Sequence, residues 1–228
     1  MTATRAKVRM LTENDTRLRD LIGRAWEAGK SIDIGPAVYG RAIRGGEEVV
    51  IESPSTYYPF LAGLAQVTGA RSVIEIGTNC GGSALAMSAG MSGAGRIVTL
   101  DISDFSDPYL LGKASITKIQ GDANSLEVIE RVVETLGGVP VDLLYIDAAH
   151  SCLPTLLNYC IYGSLFRPRY VILDDITLYE TMARMWRLVT LTQGEHRAIN
   201  AAEVVPAIRP QIPAPGFGVV AFADSSPG

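Results

Sequence analysis

The sequence has little of what holds a transition metal or a secreted fold together. Its 228 residues include three cysteines and two histidines. Cys80, Cys152 and Cys160 form no CxxC pair and no zinc spacing, which excludes a zinc module and a disulfide framework. A sparse, odd count fits a reducing compartment, so a cytoplasmic protein with its thiols buried as small apolar groups is expected. Long apolar runs are also missing. None approaches the ~20 residues that span a bilayer, and the opening MTATRAKVRM has no apolar signal core. A basic excess is missing too: Lys and Arg number 20 against 24 Asp and Glu, for a net charge of -4. The first fifty residues carry nine basic against seven acidic side chains, and the remainder eleven against seventeen. The main body is therefore acidic, and neither nucleic acid nor a membrane is expected as a partner.

What is present is an alternation. Thr12 to Gly29 reads as an amphipathic helix with Leu18, Leu21, Ile22, Ala25 and Trp26 at helical spacing, Thr12 or Asn14 as cap and Gly29 as terminator. Gly45-Gly46 marks a turn. A second helix is expected after Ser53-Pro54, ending at Thr68 before Gly69. From Ser72 onward, short apolar strands (SVIEIG, RIVTLD, SITKIQ, DLLYID, RYVILDD) are interleaved with helical segments (SALAMSAGM, SLEVIERVVETLG, CLPTLLNYCIYGSLF, TLYETMARMWRLVTL). In the second of these helical patterns, Leu126, Ile129, Val132, Val133 and Leu136 form the expected apolar face. Continuous apolar strands separated by helices imply a parallel sheet covered on both faces. HRAIN and GFGVVAFA, separated by a proline-rich loop, are expected as an antiparallel hairpin on the sheet edge. The fold class is thus α/β. Residues 1–70 form an N-terminal helical lid attached to a core over 71–228, in a single domain overall.

Three strand ends carry polar groups that the strands themselves do not need. The first ends in EIGTNCGGS, Glu75 to Ser83. Its glycines allow a tight turn and close approach of a ligand, but the spacing is not GxGxxG and no P-loop lysine follows. Glu75 is a charge on a strand that reads as buried, which is costly unless paired; a cationic ligand would account for it. Asp101 ends the second strand, where an acid can accept both hydroxyls of a ribose. Asp122, in QGDANS after the third, can accept from the amine of a base. A second group follows. Asp147 ends the fourth strand and Asp174-Asp175 the fifth. Neighbouring parallel strands lie roughly 4.8 Å apart, so three carboxylates crowd one edge and their pKa values rise unless a cation neutralises them; the alternative is that one of them, Asp175 before TLYET, caps the next helix. Oxygen ligands point to Mg²⁺ or another hard divalent ion. His150, three residues past Asp147, has the pKa class of a general base. His196, in QGEHR, has no such setting and reads as surface.

The run E-x-G-x-x-x-G-x-S, an acid ending strand two, G-D-A and then D-L-L-Y-I-D resembles the class I S-adenosylmethionine-dependent methyltransferases. The likeness covers about residues 50–225 and lies nearest the small metal-dependent O-methyltransferases of catechol and caffeoyl-CoA type. The Asp-Asp pair and the I-D-x-x-H spacing are similar to macrocin-type sugar O-methyltransferases. The resemblance implies a Rossmann-like fold with a seven-stranded, mostly parallel sheet and an antiparallel final hairpin. It implies a cofactor site for S-adenosylmethionine. Glu75, Gly77, Thr78, Asn79, Gly81 and Ser83 would surround the methionine moiety, Asp101 the ribose, and Asp122 with Ala123 the adenine, with Asp147 emerging beside the glycine loop. Asp147, Asp174 and Asp175 would hold Mg²⁺, with Asp147 and His150 as the catalytic pair. Two departures stand out: Ala149 replaces the second acid of a D-x-D motif, and Arg169-Tyr170 replaces a glycine pair before the fifth strand.

The function expected is O-methylation of a small-molecule hydroxyl, on a natural-product sugar, a catechol or another vicinal diol, assisted by a divalent metal. Tyr57, Tyr58, Tyr109, Tyr179, Met182 and Trp186 are candidate pocket walls, although residues of these types at these spacings more often belong to a core. The rivals are a metal-independent N- or C-methyltransferase, an enzyme that cyclises or rearranges its substrate without moving the methyl, and a non-catalytic binder of the cofactor. A homodimer through apolar faces of the N-terminal helices is the expected assembly.

Overall fold

The computed structural model describes residues 2–35, 40–44, 47–51, 55–91, 95–103, 113–194 and 196–222, with side chains described at 16–35 and from 55 on. Helix α1 spans Thr2–Gly29. It starts ten residues before the expected cap, so Thr12 and Asn14 lie inside it. Strands β1 (Gly40–Arg44) and β2 (Glu47–Ile51) pair as an antiparallel hairpin that sequence periodicity did not reveal. The turn glycines 45 and 46 lie outside the described residues, as do Ser53-Pro54 and Tyr109. Helix α2 (Tyr58–Thr68) starts later than the expected Ser53-Pro54 cap, with Pro59 in its first turn, and ends where Gly69 takes the left-handed conformation, as the sequence indicated.

From there the chain alternates: β3 (Ser72–Ile76), α3 (Gly82–Gly90), β4 (Arg96–Asp101), β5 (Ile116–Gln120), α4 (Leu126–Leu136), β6 (Leu143–Ile146), α5 (Cys152–Phe166), β7 (Tyr170–Asp174), α6 (Glu180–Gln193), β8 (Ala198–Asn200), a four-residue helix α7 (Ala201–Val204) and β9 (Phe217–Ala221). The seven-stranded sheet has the order β5-β4-β3-β6-β7-β9-β8. β3 to β7 are parallel, and β9 pairs antiparallel with both β7 and β8. The expected mostly parallel sheet with a terminal antiparallel hairpin is what forms.

Residues alternate along each strand between two apolar layers. Val73, Ile97, Leu143, Tyr145, Ile172 and Phe217 pack with α1, α2 and α3 on one face. Ile74, Val98, Leu100, Leu144, Ile146 and Leu173 pack with α4, α5 and α6 on the other. Each layer removes whole Leu, Ile and Phe side chains from water, about 1.5–3 kcal/mol apiece. Leu18, Leu21, Ile22 and Ala25 of α1 are buried in the first layer, so this stretch of the helix's apolar face is covered within the chain. The α1–α2 crossing is close because of glycine: a Cβ on Gly63 would stand 1.8 Å from the Ala25 carbonyl oxygen.

On α4 the inward face is Val128, Val132 and Leu136, with Ile129 partly buried. Leu126 and Val133 are exposed, which corrects the face read from the sequence. Ser125 caps this helix by accepting from the Val128 amide at 3.3 Å. Of the thiols, Cys80 is buried, whereas Cys152 is half-buried and Cys160 exposed, against the expectation that all would be buried. Among the described residues, no helix is long and apolar enough to cross a membrane.

Candidate active site

Strand order reverses between β3 and β6, and ligands in open parallel sheets bind beyond the carboxyl ends of strands at such a point. Gly77 follows β3 there, with φ of 106°. Its amide and that of Thr78 donate to the Leu100 carbonyl at 2.8 and 3.1 Å, which ties the loop to β4. Gly81, with φ of 88°, leads into α3. The Asp101 carboxylate accepts from the Asn79 amide at 2.7 Å and from the Ser103 amide at 2.9 Å, so it holds the glycine loop from the neighbouring strand end. Asp122 lies one strand further out and is exposed; it accepts from the Asn124 amide at 2.9 Å as an Asx turn. Ala123 is buried, and its carbonyl accepts from the Tyr162 hydroxyl at 2.8 Å. The structure therefore brings Gly77, Thr78, Asn79, Gly81, Ser83 and Asp101 together, with Asp122 and Ala123 flanking them.

Glu75 is fully buried but satisfied within the chain. Ser83 donates to one carboxylate oxygen at 2.5 Å and Thr99 to the other at 2.5 Å, while the Thr78 and Thr99 hydroxyls are 2.7 Å apart. Burial pushes its pKa up to about 8, against the pull of these hydroxyls. The charge that implied a cationic ligand is thus accommodated by two hydroxyl donors and proton uptake, and Glu75 joins the start of α3 to β4.

The second group sits beside the loop. The Asp147 amide donates to the Ile76 carbonyl at 2.8 Å. One Asp147 carboxylate oxygen is 3.1 Å from His150 Nε2, and the other accepts from the Tyr145 hydroxyl at 3.0 Å. His150 Nε2 also lies 3.2 Å from Asp175 Oδ2. Two carboxylates at one nitrogen place the hydrogen there, which leaves Nδ1 as the basic atom of the neutral ring. The Asp147 hydrogen bond raises the His150 pKa above its ordinary 6.5. Burial, then the Asp147 charge, push Asp175 up to about 6, while His150 pulls it down. Burial, then Asp147, hold Tyr145 well above the usual phenol range, so its hydroxyl stays a donor. Ala149, His150 and Asp175 all have positive φ (63°, 37° and 52°). Non-glycine residues in that region cost about 1–3 kcal/mol each and cluster at functional sites.

Sequence reasoning missed Arg209. Its guanidinium pairs with Asp174 Oδ1 and lies 3.3 Å from Asp175 Oδ1. It stacks 4.0 Å from the Tyr57 ring centroid and 5.5 Å from that of Phe217. Each of the three carboxylates faces a polar or charged group of this chain: Asp147 is hydrogen-bonded to His150 and Tyr145, Asp174 to Arg209 and, at 3.5 Å, Tyr145, and Asp175 lies within ion-pair distance of Arg209 and His150. Disposed in this way, the three do not fit a divalent ion, and among the described residues no His/Cys/Asp/Glu group is arranged to hold one. The crowding inferred from the sequence is present, and a guanidinium of this chain lies against two of the three carboxylates.

Of the candidate pocket walls, Met182 and Trp186 belong to the layer under α5 and α6. Tyr179 is exposed, and Tyr58 packs against Gly82. Among the described candidates, Tyr57 reaches the acidic edge through Arg209. His196, expected at the surface, is half-buried beside Gly194.

A family model described as O-methyltransferase matches residues 49–183, more than half of the chain. Among solved structures, the O-methyltransferase TomG from Streptomyces achromogenes, involved in tomaymycin synthesis and solved with SAM, aligns with a TM-score of 0.55 at 19% identity, covering 89% of both chains. An O-methyltransferase from Bacillus cereus, solved in complex with SAH, aligns with a TM-score of 0.53 at 18% identity, covering 89% of this chain and 90% of that one.

Proposed function

The chain belongs to the O-methyltransferase family, and from that premise we propose that it moves the methyl group of S-adenosylmethionine to a hydroxyl oxygen of a small molecule. The acceptor class is one with adjacent oxygens, such as a natural-product sugar or a catechol. The observation that carries the reading is His150, held by Asp147 and Asp175 at 3.1 and 3.2 Å, one strand over from the glycine loop. The donor's methionine part lies along Gly77 to Ser83, its ribose at Asp101 and its adenine beside Asp122 and Ala123. SAM in the TomG structure and SAH in the Bacillus cereus structure support this choice of donor.

Methyl transfer is an in-line displacement at the sulfonium methyl carbon, with the attacking oxygen within about 3–3.5 Å. The oxygen forms a bond to carbon as the carbon–sulfur bond breaks, and sulfur leaves as a neutral thioether. The hydroxyl proton passes to His150 Nδ1. The resulting imidazolium is stabilised by Asp147 and Asp175, whose carboxylates fix the tautomer and the ring. The divalent ion expected from the sequence has no step here, because Arg209 already meets Asp174 and Asp175.

The test is product mass. Incubation with S-adenosylmethionine and a panel of vicinal diols is expected to add one CH₂ unit, removed by hydriodic-acid cleavage as an O-methyl. A product of unchanged mass would favour the cyclising or rearranging rival, and a methyl on nitrogen or carbon the other methyltransferase classes.

A further inference from the structure

We propose that Arg209 is the resident counter-cation of the Asp147–Asp174–Asp175 edge and makes a divalent ion unnecessary to this chain. The proposal rests on the methyltransferase reading only for its consequence in turnover. The cation site itself is argued from geometry.

Three carboxylates at adjacent strand ends cannot all remain charged without a neighbouring positive group. Arg209 supplies that group to two of them at once, its Nη2 pairing with Asp174 and lying 3.3 Å from Asp175 Oδ1. Its side chain is 10% exposed, and the rings of Tyr57 and Phe217 hold its flat face. The backbone on either side of it is fixed. Ile208 is fully buried and its carbonyl accepts from the Thr56 hydroxyl at 2.9 Å. Further along, Thr177, two residues past Asp175, donates from its hydroxyl to Ala214 at 2.9 Å and from its amide to Pro215 at 2.7 Å. The loop that carries the cation is thus fastened to the segment that carries the acids.

Mg²⁺ demands near-octahedral oxygen ligands at about 2.0–2.1 Å. Here the oxygens are already engaged by Arg209, His150 and Tyr145, so an ion would have to displace the guanidinium and leave it buried without a partner, which is costly. One donor of Arg209 remains: Nε is buried and has no hydrogen-bond partner among the described residues. Arg209 is therefore a positioning residue that sets the charge and orientation of the acidic edge.

The test is Mn²⁺ binding, followed by the electron paramagnetic resonance signal of free Mn²⁺, on the full chain and on Arg209→Ala and Arg209→Lys. The wild type is expected to leave Mn²⁺ free at concentrations where Arg209→Ala holds one ion per chain, an affinity gain of about tenfold or more. Arg209→Lys keeps the positive charge and is expected to stay close to wild type. Circular dichroism establishes that the variants fold. If Arg209→Ala does not fold, the wild-type titration still decides: stoichiometric Mn²⁺ binding there, competed by Mg²⁺, would overturn the proposal. None of these readouts requires methyl transfer, so failure of the methyltransferase reading leaves the cation result standing.

Discussion

The carbonyl oxygen of Asp147 lies 2.1 Å from where a Cβ on Gly77 would stand. The glycine loop and the acidic edge are in backbone contact across β3 and β6, and only a residue without a side chain permits it. Gly77 also has φ of 106°, a conformation that L side chains rarely adopt. Gly77→Ala is therefore expected to destabilise the chain by about 2 kcal/mol or more and to weaken cofactor binding together with it. Urea unfolding measures the first and calorimetry the second; a variant with unchanged midpoint and affinity would remove the contact from the account.

His150→Ala is expected to lower kcat by about 10²–10⁴. The pH profile gives the sharper reading. A base must be neutral, and the Asp147 hydrogen bond raises the His150 pKa, so wild-type kcat/KM should rise with pH through a midpoint above about 6.5. His150→Gln should flatten that limb. A variant that keeps both the rate and the limb would take His150 out of proton transfer.

Asp101 holds the Asn79 amide at 2.7 Å as well as facing the proposed ribose. Asp101→Ala is expected to weaken S-adenosylmethionine binding by more than about tenfold, the scale of lost charged hydrogen bonds. Unchanged calorimetric affinity would refute the assignment.

Glu75 titrates in the opposite sense from a salt-bridged acid. Its folded pKa is about 8, above the ordinary carboxylate value, so the folded state holds a proton that the unfolded chain has lost. Its contribution to stability is fully present below about pH 4.5 and disappears as pH rises through 8. Glu75→Gln mimics the protonated acid and should reduce the fall in Tm between pH 5 and 9. An equal fall in wild type and variant would contradict the protonated state.

Much of the fold was legible because buried parallel strands read as continuous apolar runs, and SVIEIG, RIVTLD and DLLYID are such runs. The acidic strand ends were legible for the same reason: Asp101, Asp147 and Asp174 interrupt apolar patterns where strands must stop. The face of α4 was not, because Val128-Ile129 and Val132-Val133 offer two overlapping stripes and only contact with the sheet selects between them. The early start of α1 was hidden by its polar first residues, which show no apolar period. Arg209 left no local trace. It follows a short turn in a proline-rich loop with no period of its own, and its partner Asp174 is 35 residues away. Three aspartates read as a metal site because nothing near them in sequence announces the guanidinium that pairs with Asp174.

The most direct measurement is calorimetric titration of S-adenosylmethionine into chelator-treated protein, repeated with added Mg²⁺. The account predicts saturable binding of one cofactor per chain, unchanged by Mg²⁺ and weakened in Asp101→Ala. The absence of binding in both conditions would contradict the assignment of the glycine loop as the cofactor site.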